Sequence, residues 1–170
     1  MTVSDLNDPR AFKSRVRAIL AGRHRLRIAD PTLRCAAVLL PLLWKGGEWH
    51  VAVTQRTDHV EHHRGQISFP GGACEAHDND LLDTALRETH EEIGVPPEAV
   101  EVLGALDDFP TITHFVVTPF VGVIPHPFAY RISEIEVEAV VEVPLSFLLE
   151  PTHVRMEERE ADAQTEGDAQ

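Results

Sequence analysis

At 170 residues and 18.9 kDa, with 43% hydrophobic and 25% charged residues, the chain has the size and composition of one ordinary folded domain, which excludes wholesale disorder, collagen-like repeats and an extended coiled coil. Its 15 Lys and Arg face 28 Asp and Glu, a formal net charge of −13, and six of those acids against the single Arg159 fall in the stretch 157–170. So acidic a body lacks the electrostatic footprint of a general nucleic-acid binder, but it can act on an anionic substrate if divalent cations stand between its carboxylates and the phosphates.

In chain order, Asn7 and Asp8 precede Pro9, and Phe12, Val16, Ile19 and Leu20 recur at helical spacing until Gly22, which predicts a capped amphipathic helix whose other face carries Arg10, Lys13, Arg15 and Arg17. After Asp30-Pro31, the stretches Cys35 to Leu43 and Val51 to Gln55 read as two strands joined by a turn at Lys45-Gly46-Gly47. A long polar loop leads to Phe69-Pro70-Gly71-Gly72. A helix from about Asp80 to Ile93 follows, stopped by Gly94 with Pro96-Pro97 beyond. Val100 to Leu106, His114 to Ile124 and Glu136 to Val143 have the β-branched content of strands, and Ser146 to Leu149 opens a short helix. Residues 1–156 are therefore expected to form a single domain with an N-terminal helix, and 157–170, which lack large apolar residues, an acidic flexible tail.

Cys35 and Cys74 show no C-x-x-C spacing, so neither a disulfide framework nor a thiolate zinc site is expected, and a reducing cytoplasm fits. From the polar, acidic start no secretion signal is expected. The longest apolar stretch, Cys35 to Trp44, is ten residues long and contains Pro41, too short to span a bilayer.

The chemistry is concentrated in Arg87-Glu88-Thr89-His90-Glu91-Glu92-Ile93-Gly94. On a helix Leu82, Ala85, Leu86, Thr89 and Ile93 share one face, while Glu88, Glu91 and Glu92, related as i, i+3 and i+4, gather on an adjacent stripe. Like charges at these spacings cost a few tenths of a kcal/mol per pair, roughly, in a bare helix. A hard divalent cation removes that cost, and Mg²⁺ is commonly held by one or two carboxylates together with waters and substrate phosphates. The glycines at 71 and 72 let bare backbone come close enough for a carbonyl to join them.

The segment Gly72 to Val95 resembles the Nudix box, G-x5-E-x7-R-E-U-x-E-E-x-G-U with U a bulky aliphatic residue, through Arg87, Glu88, Glu91, Glu92, Gly94 and Val95. It departs in three ways: Asn79 stands eight places before Arg87 where the box has Glu, the loop is one residue longer, and Thr89 replaces an aliphatic residue. Glu75 or Asp78 are the available substitutes for the first glutamate. Upstream, Thr54, Arg56, Gly65, Phe69, Pro70, Gly71 and Gly72 match the signature L-L-T-x-R-[SA]-x3-R-x3-G-x3-F-P-G-G of coenzyme A pyrophosphatases at the same spacing, with Ala52-Val53, Thr57 and Glu61 as the mismatches. Together the two patterns cover Thr54 to Val95, about a quarter of the chain.

That resemblance implies an α+β fold, an α/β/α sandwich with a mixed central sheet and a catalytic loop-helix-loop. It implies Mg²⁺- or Mn²⁺-dependent hydrolysis of the diphosphate of coenzyme A to 3′,5′-ADP and 4′-phosphopantetheine. Glu88 and Glu92 would be the principal metal ligands, with Glu91 a third and the Gly72 carbonyl a fourth. Arg87 would tether the catalytic loop through carboxylates. The general base is either a box glutamate such as Glu91 or a later one, for which Glu136 is the candidate. Arg56 and Arg64 are the candidates for phosphate contacts. The expected partner is a small-molecule nucleotide diphosphate, with no nucleic acid and no membrane.

His59, His62 and His63 cluster around Glu61 but fit neither H-E-x-x-H nor H-x-x-E-H, so a zinc protease is disfavoured. Two rivals stay open: a Nudix enzyme for another diphosphate, and a non-catalytic nucleotide-sensing module, against which the retained carboxylates argue.

Overall fold

The computed structural model describes residues 7–57 and 65–153. The acidic tail, Arg64 and the cluster of His59, His62 and His63 lie outside the described residues.

Helix α1 (Pro9–Gly22) begins where Asp8 accepts from the backbone N–H groups of Arg10, at 2.9 Å, and Ala11, at 3.3 Å. This is the N-cap that the sequence predicts. Strand β1 (Arg34–Lys45) turns through Gly46-Gly47 into β2 (Glu48–Arg56), antiparallel, with Trp44 opposite Trp49. The stretch read as a loop holds two further short strands, β3 (Ile67–Ser68) on β2 and β4 (Gly71–Ala73) on β1. Helix α2 (Leu81–Ile93) follows. Then come β5 (Glu101–Ala105), β6 (Phe109–Pro110), β7 (Phe115–Val123), β8 (Val137–Pro144) and the short α3 (Leu145–Leu149).

The sheet is mixed, with β3-β2-β1-β7-β5 as its spine. Strand β7 runs parallel to β1 and the other pairings are antiparallel, β8 lying along β2. Alternation along β1 gives the sheet two apolar faces. Ala37, Leu39 and Leu43 point to α2, packing with Ala85 and Ile93, whereas Leu42 points to α1 and packs with Phe12, Trp49, Val51, Leu103 and Val121. The result is the α/β/α sandwich expected. The basic face of α1 is partly neutralised within the fold, because Lys13 and Arg17 both pair with Glu101 of β5.

One expectation is overturned. Cys35 and Cys74 form a disulfide, Cα atoms 5.6 Å apart, where the Cys74 N–H donates to the Cys35 carbonyl at 3.1 Å and so extends the β1–β4 ladder. Cross-strand neighbours on paired strands meet at Cβ distances that a disulfide can bridge. That pairing is long-range, and spacing along the chain does not reveal it.

Candidate active site

Helix α2 is set by its ends. The Asp80 carboxylate caps the N–H of Asp83 at 2.9 Å, and Gly94, at φ 78°, closes the other end by donating to the His90 carbonyl. A residue with a side chain is strained at that φ, which explains the stop. Thr89 sits fully buried where the Nudix pattern has an aliphatic side chain. Its hydroxyl donates to the Ala85 carbonyl at 2.6 Å, so the polar atom is satisfied inside the helix.

The three glutamates of the stripe are not equivalent. Side-chain exposure is 16% for Glu88 and 56% for Glu91, and Glu92 is 6% exposed as a residue. Glu88 and Glu92, one turn apart, lean toward β4. A Cβ at Gly72 would stand 2.5 Å from Glu88 Oε1, so glycine is what allows the backbone and that carboxylate to approach. Glu91 turns to solvent, where Arg87 Nη1 donates to it at 3.2 Å.

Charge is concentrated and poorly answered at the first two. Glu92 Oε2 is buried without a hydrogen-bond partner. Burial, reinforced by Glu88 and Glu136 and opposed by Arg56 and the Gly71 N–H, pushes the Glu92 carboxyl up to about 8. Burial also raises Glu88, against the lowering effect of Arg87, with Glu91 and Glu136 adding to the rise. Glu136, read from a distant part of the sequence, thus acts electrostatically on both members of the pair, and Arg56 on Glu92.

On the other flank Arg87 is fully occupied. Its Nε and Nη2 donate to the two oxygens of Asp78 at 2.8 and 3.1 Å, Nη1 to Glu88 at 2.9 Å, and Nη2 to the Ala73 carbonyl at 3.2 Å. The Arg87 guanidinium holds the Asp78 carboxyl far below the usual carboxylate range. Asp78 also accepts from the Thr84 hydroxyl and the Glu75 N–H. Of the two acids available to replace the first glutamate of the box, Asp78 is the one in paired contact with Arg87, while Glu75 stands 3.8 Å away with its side chain 55% exposed. The one-residue lengthening of the loop and the shorter acid together deliver a carboxylate to Arg87.

Sequence reasoning overlooked an apolar cavity of about 350 Å³ on the opposite face of β1, lined by Val38, Leu40, Phe69, Phe109, Val117 and Pro119 among others. The alternation of β1 and β7 was the signal available for it. Thr57, noted only as a mismatch, is 6% exposed and bonds to the segment that carries Glu136.

The side-chain donors beside Gly71 and Gly72 are all oxygens, those of Glu88 against Gly72 and those of Glu92, which is bonded to the Gly71 N–H and has one oxygen buried and orphaned, a set that suits a hard divalent cation such as Mg²⁺ or Mn²⁺. Among the described residues no three acidic, histidine or cysteine side chains close around one point, so such an ion would draw its remaining ligands from backbone, water or substrate. No described helix is long and apolar enough to cross a membrane.

Comparison with known proteins gives this arrangement a family. The chain is 48% identical over 113 residues to a protein of Enterobacter sp. (strain 638) named as the uncharacterized Nudix hydrolase NudL, covering 66% of this chain and 58% of that one. It is 45% identical over 128 residues to the protein of that name from Salmonella heidelberg (strain SL476), covering 74% of this chain and 66% of that one. The chain thus spans about three-fifths to two-thirds of the length of these relatives. In fold it is similar to the crystal structure of a Nudix hydrolase from Alicyclobacillus acidocaldarius, at a TM-score of 0.56 and 24% identity over 71% of this chain and 82% of that one. The family profile described as NUDIX domain matches residues 33–160, three-quarters of the sequence, and the chain belongs to the Nudix family.

Proposed function

We propose that this chain is a hydrolase that cleaves the pyrophosphate bond of coenzyme A, with Mg²⁺ or Mn²⁺, to 3′,5′-ADP and 4′-phosphopantetheine. The observation that carries the hydrolase reading is the pairing of Glu88 with a buried Glu92 whose Oε2 has no partner, against a glycine that leaves room beside them. The choice of coenzyme A is supported by the signature from Thr54 to Gly72.

Glu88, Glu92 and the Gly72 carbonyl would hold the cation, while Glu91, the third ligand expected from the sequence, is turned to solvent and engaged by Arg87. When bound, the ion neutralises phosphate charge and lowers the pKa of an attacking water. Arg56, and Arg64 by its place in the signature, offer positive charge to the phosphate oxygens. Glu136 accepts the proton of the water as its oxygen bonds to phosphorus, and the bridging P–O bond breaks with the electron pair leaving on the departing phosphate. Glu136 is preferred to Glu91 as base because Glu91 is engaged by Arg87, whereas Glu136 acts electrostatically on both Glu88 and Glu92. Arg87 keeps the loop between Ala73 and Asp78 against α2. The apolar cavity beside Phe69 suits an uncharged portion of the substrate.

The test is to incubate the protein with coenzyme A, ADP-ribose, dinucleoside polyphosphates and nucleoside triphosphates, with and without Mg²⁺ or Mn²⁺, and to identify products by mass. Metal-dependent cleavage of coenzyme A above the others is expected. Cleavage of none of them overturns the hydrolase reading, and preference for another compound overturns the substrate. Glu92→Gln should lose roughly 10²–10³-fold in turnover while the fold survives.

A further inference from the structure

Glu136 closes a turn whose local bonds, from the Glu136 and Val137 N–H groups to the Ser133 carbonyl, shape the segment without tying it to another element. Glu134 and Glu136 are exposed, and Ile135 is 76% exposed, so between Ser133 and the buried Val137 no apolar side chain anchors the chain. Yet Glu136 must stand within electrostatic reach of Glu88 and Glu92, which come from a different element.

Two attachments solve this. At one end the Arg131 and Ser133 N–H groups donate to the carbonyls of Ile93 and Glu92, fastening the segment to the last turn of α2. At the other, Thr57 makes two bonds to consecutive carbonyls. Its hydroxyl donates to Ile135 at 2.6 Å and its N–H to Glu136 at 3.1 Å. Gripping two successive carbonyls fixes the two peptide planes that flank the Glu136 Cα, and with them the direction in which the Glu136 side chain leaves the backbone. The β2–β8 register shifts between Gln55 and Arg56, just before Thr57, an irregularity of the kind that re-aims side chains at strand ends.

We propose that Thr57 is the positioning residue for Glu136, aiming its carboxylate at the Glu88–Glu92 pair through the carbonyls of Ile135 and Glu136. The inference rests on the hydrolase reading above and on Glu136 as proton acceptor. Thr57→Val keeps the shape and loses the hydroxyl, and Thr57→Ser keeps the hydroxyl. Thr57→Val should lower kcat roughly ten- to a hundredfold with KM unchanged, because misplacement of a reacting group by about 1 Å costs up to about 10²-fold. Thr57→Ser should restore most of the loss. In a Glu136→Gln background Thr57→Val should add nothing, since the group it positions is gone.

Mn²⁺ titration of the substrate-free protein gives a readout independent of turnover. Affinity should fall several-fold, up to about tenfold, in Thr57→Val and in Glu136→Gln, and stay near the wild-type value in Thr57→Ser. The proposal is overturned if Thr57→Val matches the wild type in kcat and Mn²⁺ affinity, if its loss persists in full on Glu136→Gln, or if Ser fails to restore it. Should Thr57→Val not fold, Thr57→Ala makes the same comparison with no added bulk. A wild-type protein that cleaves no diphosphate sinks the hydrolase reading instead, and the Mn²⁺ arm still decides the role of Thr57.

Discussion

On one flank of α2, Asp78 has a side chain only 4% exposed and receives paired bonds from Arg87, a hydroxyl from Thr84 and the N–H of Glu75. On the other, Glu92 is 6% exposed and leaves Oε2 with nothing to accept from, beside the like charge of Glu88. Glu92 lies the deeper of the two, and the Asp78 carboxyl is held far below its ordinary range while that of Glu92 is pushed far above. Depth and partners act together: burial is the main cause of the rise at Glu92, where Oε2 has no bond to answer its charge, while at Asp78 bonding to Arg87 outweighs burial. A group whose charge is answered inside the chain holds the loop in place. A group left unanswered is held at a cost in stability and is available to a ligand from outside.

The largest effect expected from this contrast is a pH dependence of stability without metal. An ordinary glutamate titrates near 4.5, and Glu92 in the fold near 8. Between those values the unfolded chain has released its proton while the folded chain still holds it. Stability therefore falls as pH rises from about 4.5 to about 8, by at most ~5 kcal/mol from this group, and levels off above. Glu88, also raised, acts in the same direction. Denaturant melts across this range in chelator should show the fall, Mg²⁺ or Mn²⁺ should reduce it, and Glu92→Gln should flatten it. A flat profile in the metal-free wild type would erase the contrast between the two flanks.

Next in size, Asp78→Ala leaves Arg87 without its principal partner and should destabilise the fold by about 3 kcal/mol, the lower end for breaking a buried pair, because Glu88 and Glu91 still meet the guanidinium. An unchanged melting curve would show that the clamp is ornamental. Reduction of Cys35–Cys74, which are separated by 39 residues, should cost ~2–4 kcal/mol through the freedom returned to the unfolded chain. Calorimetry with and without dithiothreitol measures it, and thiol titration of the unreduced protein should find neither cysteine free. Smallest is Glu91→Gln, where only a solvent-exposed contact is lost: a change below about 0.5 kcal/mol is expected.

Local signals carried much of this architecture. Asp8, Asp80 and Gly94 mark helix ends by chemistry that acts within one turn, and the structure places those ends within a residue of the expected positions. The Gly46-Gly47 turn likewise announces β1 and β2. What escaped depends on contacts between distant segments. Strand β4 is three residues long and exists because β1 pairs with it, so no periodicity could reveal it. The disulfide is hidden for the same reason. The stripe of Glu88, Glu91 and Glu92 follows from helical geometry, but only the position of β4 decides that Glu88 and Glu92 turn inward while Glu91 faces water. Asp78 and Glu75 could not be ranked until the fold of the loop showed which of them reaches Arg87.

The alternation of β1 has a bearing on how this protein can change. Val38 and Leu40 line the apolar cavity, while Ala37 and Leu39, interleaved with them, support α2 behind its carboxylates. Val38 also bears on the carboxylate side, because it packs against Gly71, whose N–H reaches Glu92, whereas Leu40 lies farther along the strand and Ala37 and Leu39 seat the helix. On the proposed reading, substitutions at Leu40 would reshape the space for an uncharged group while Ala37 and Leu39 keep the carboxylate helix in place, so that shape preference could drift along one face of a strand whose other face is held fixed.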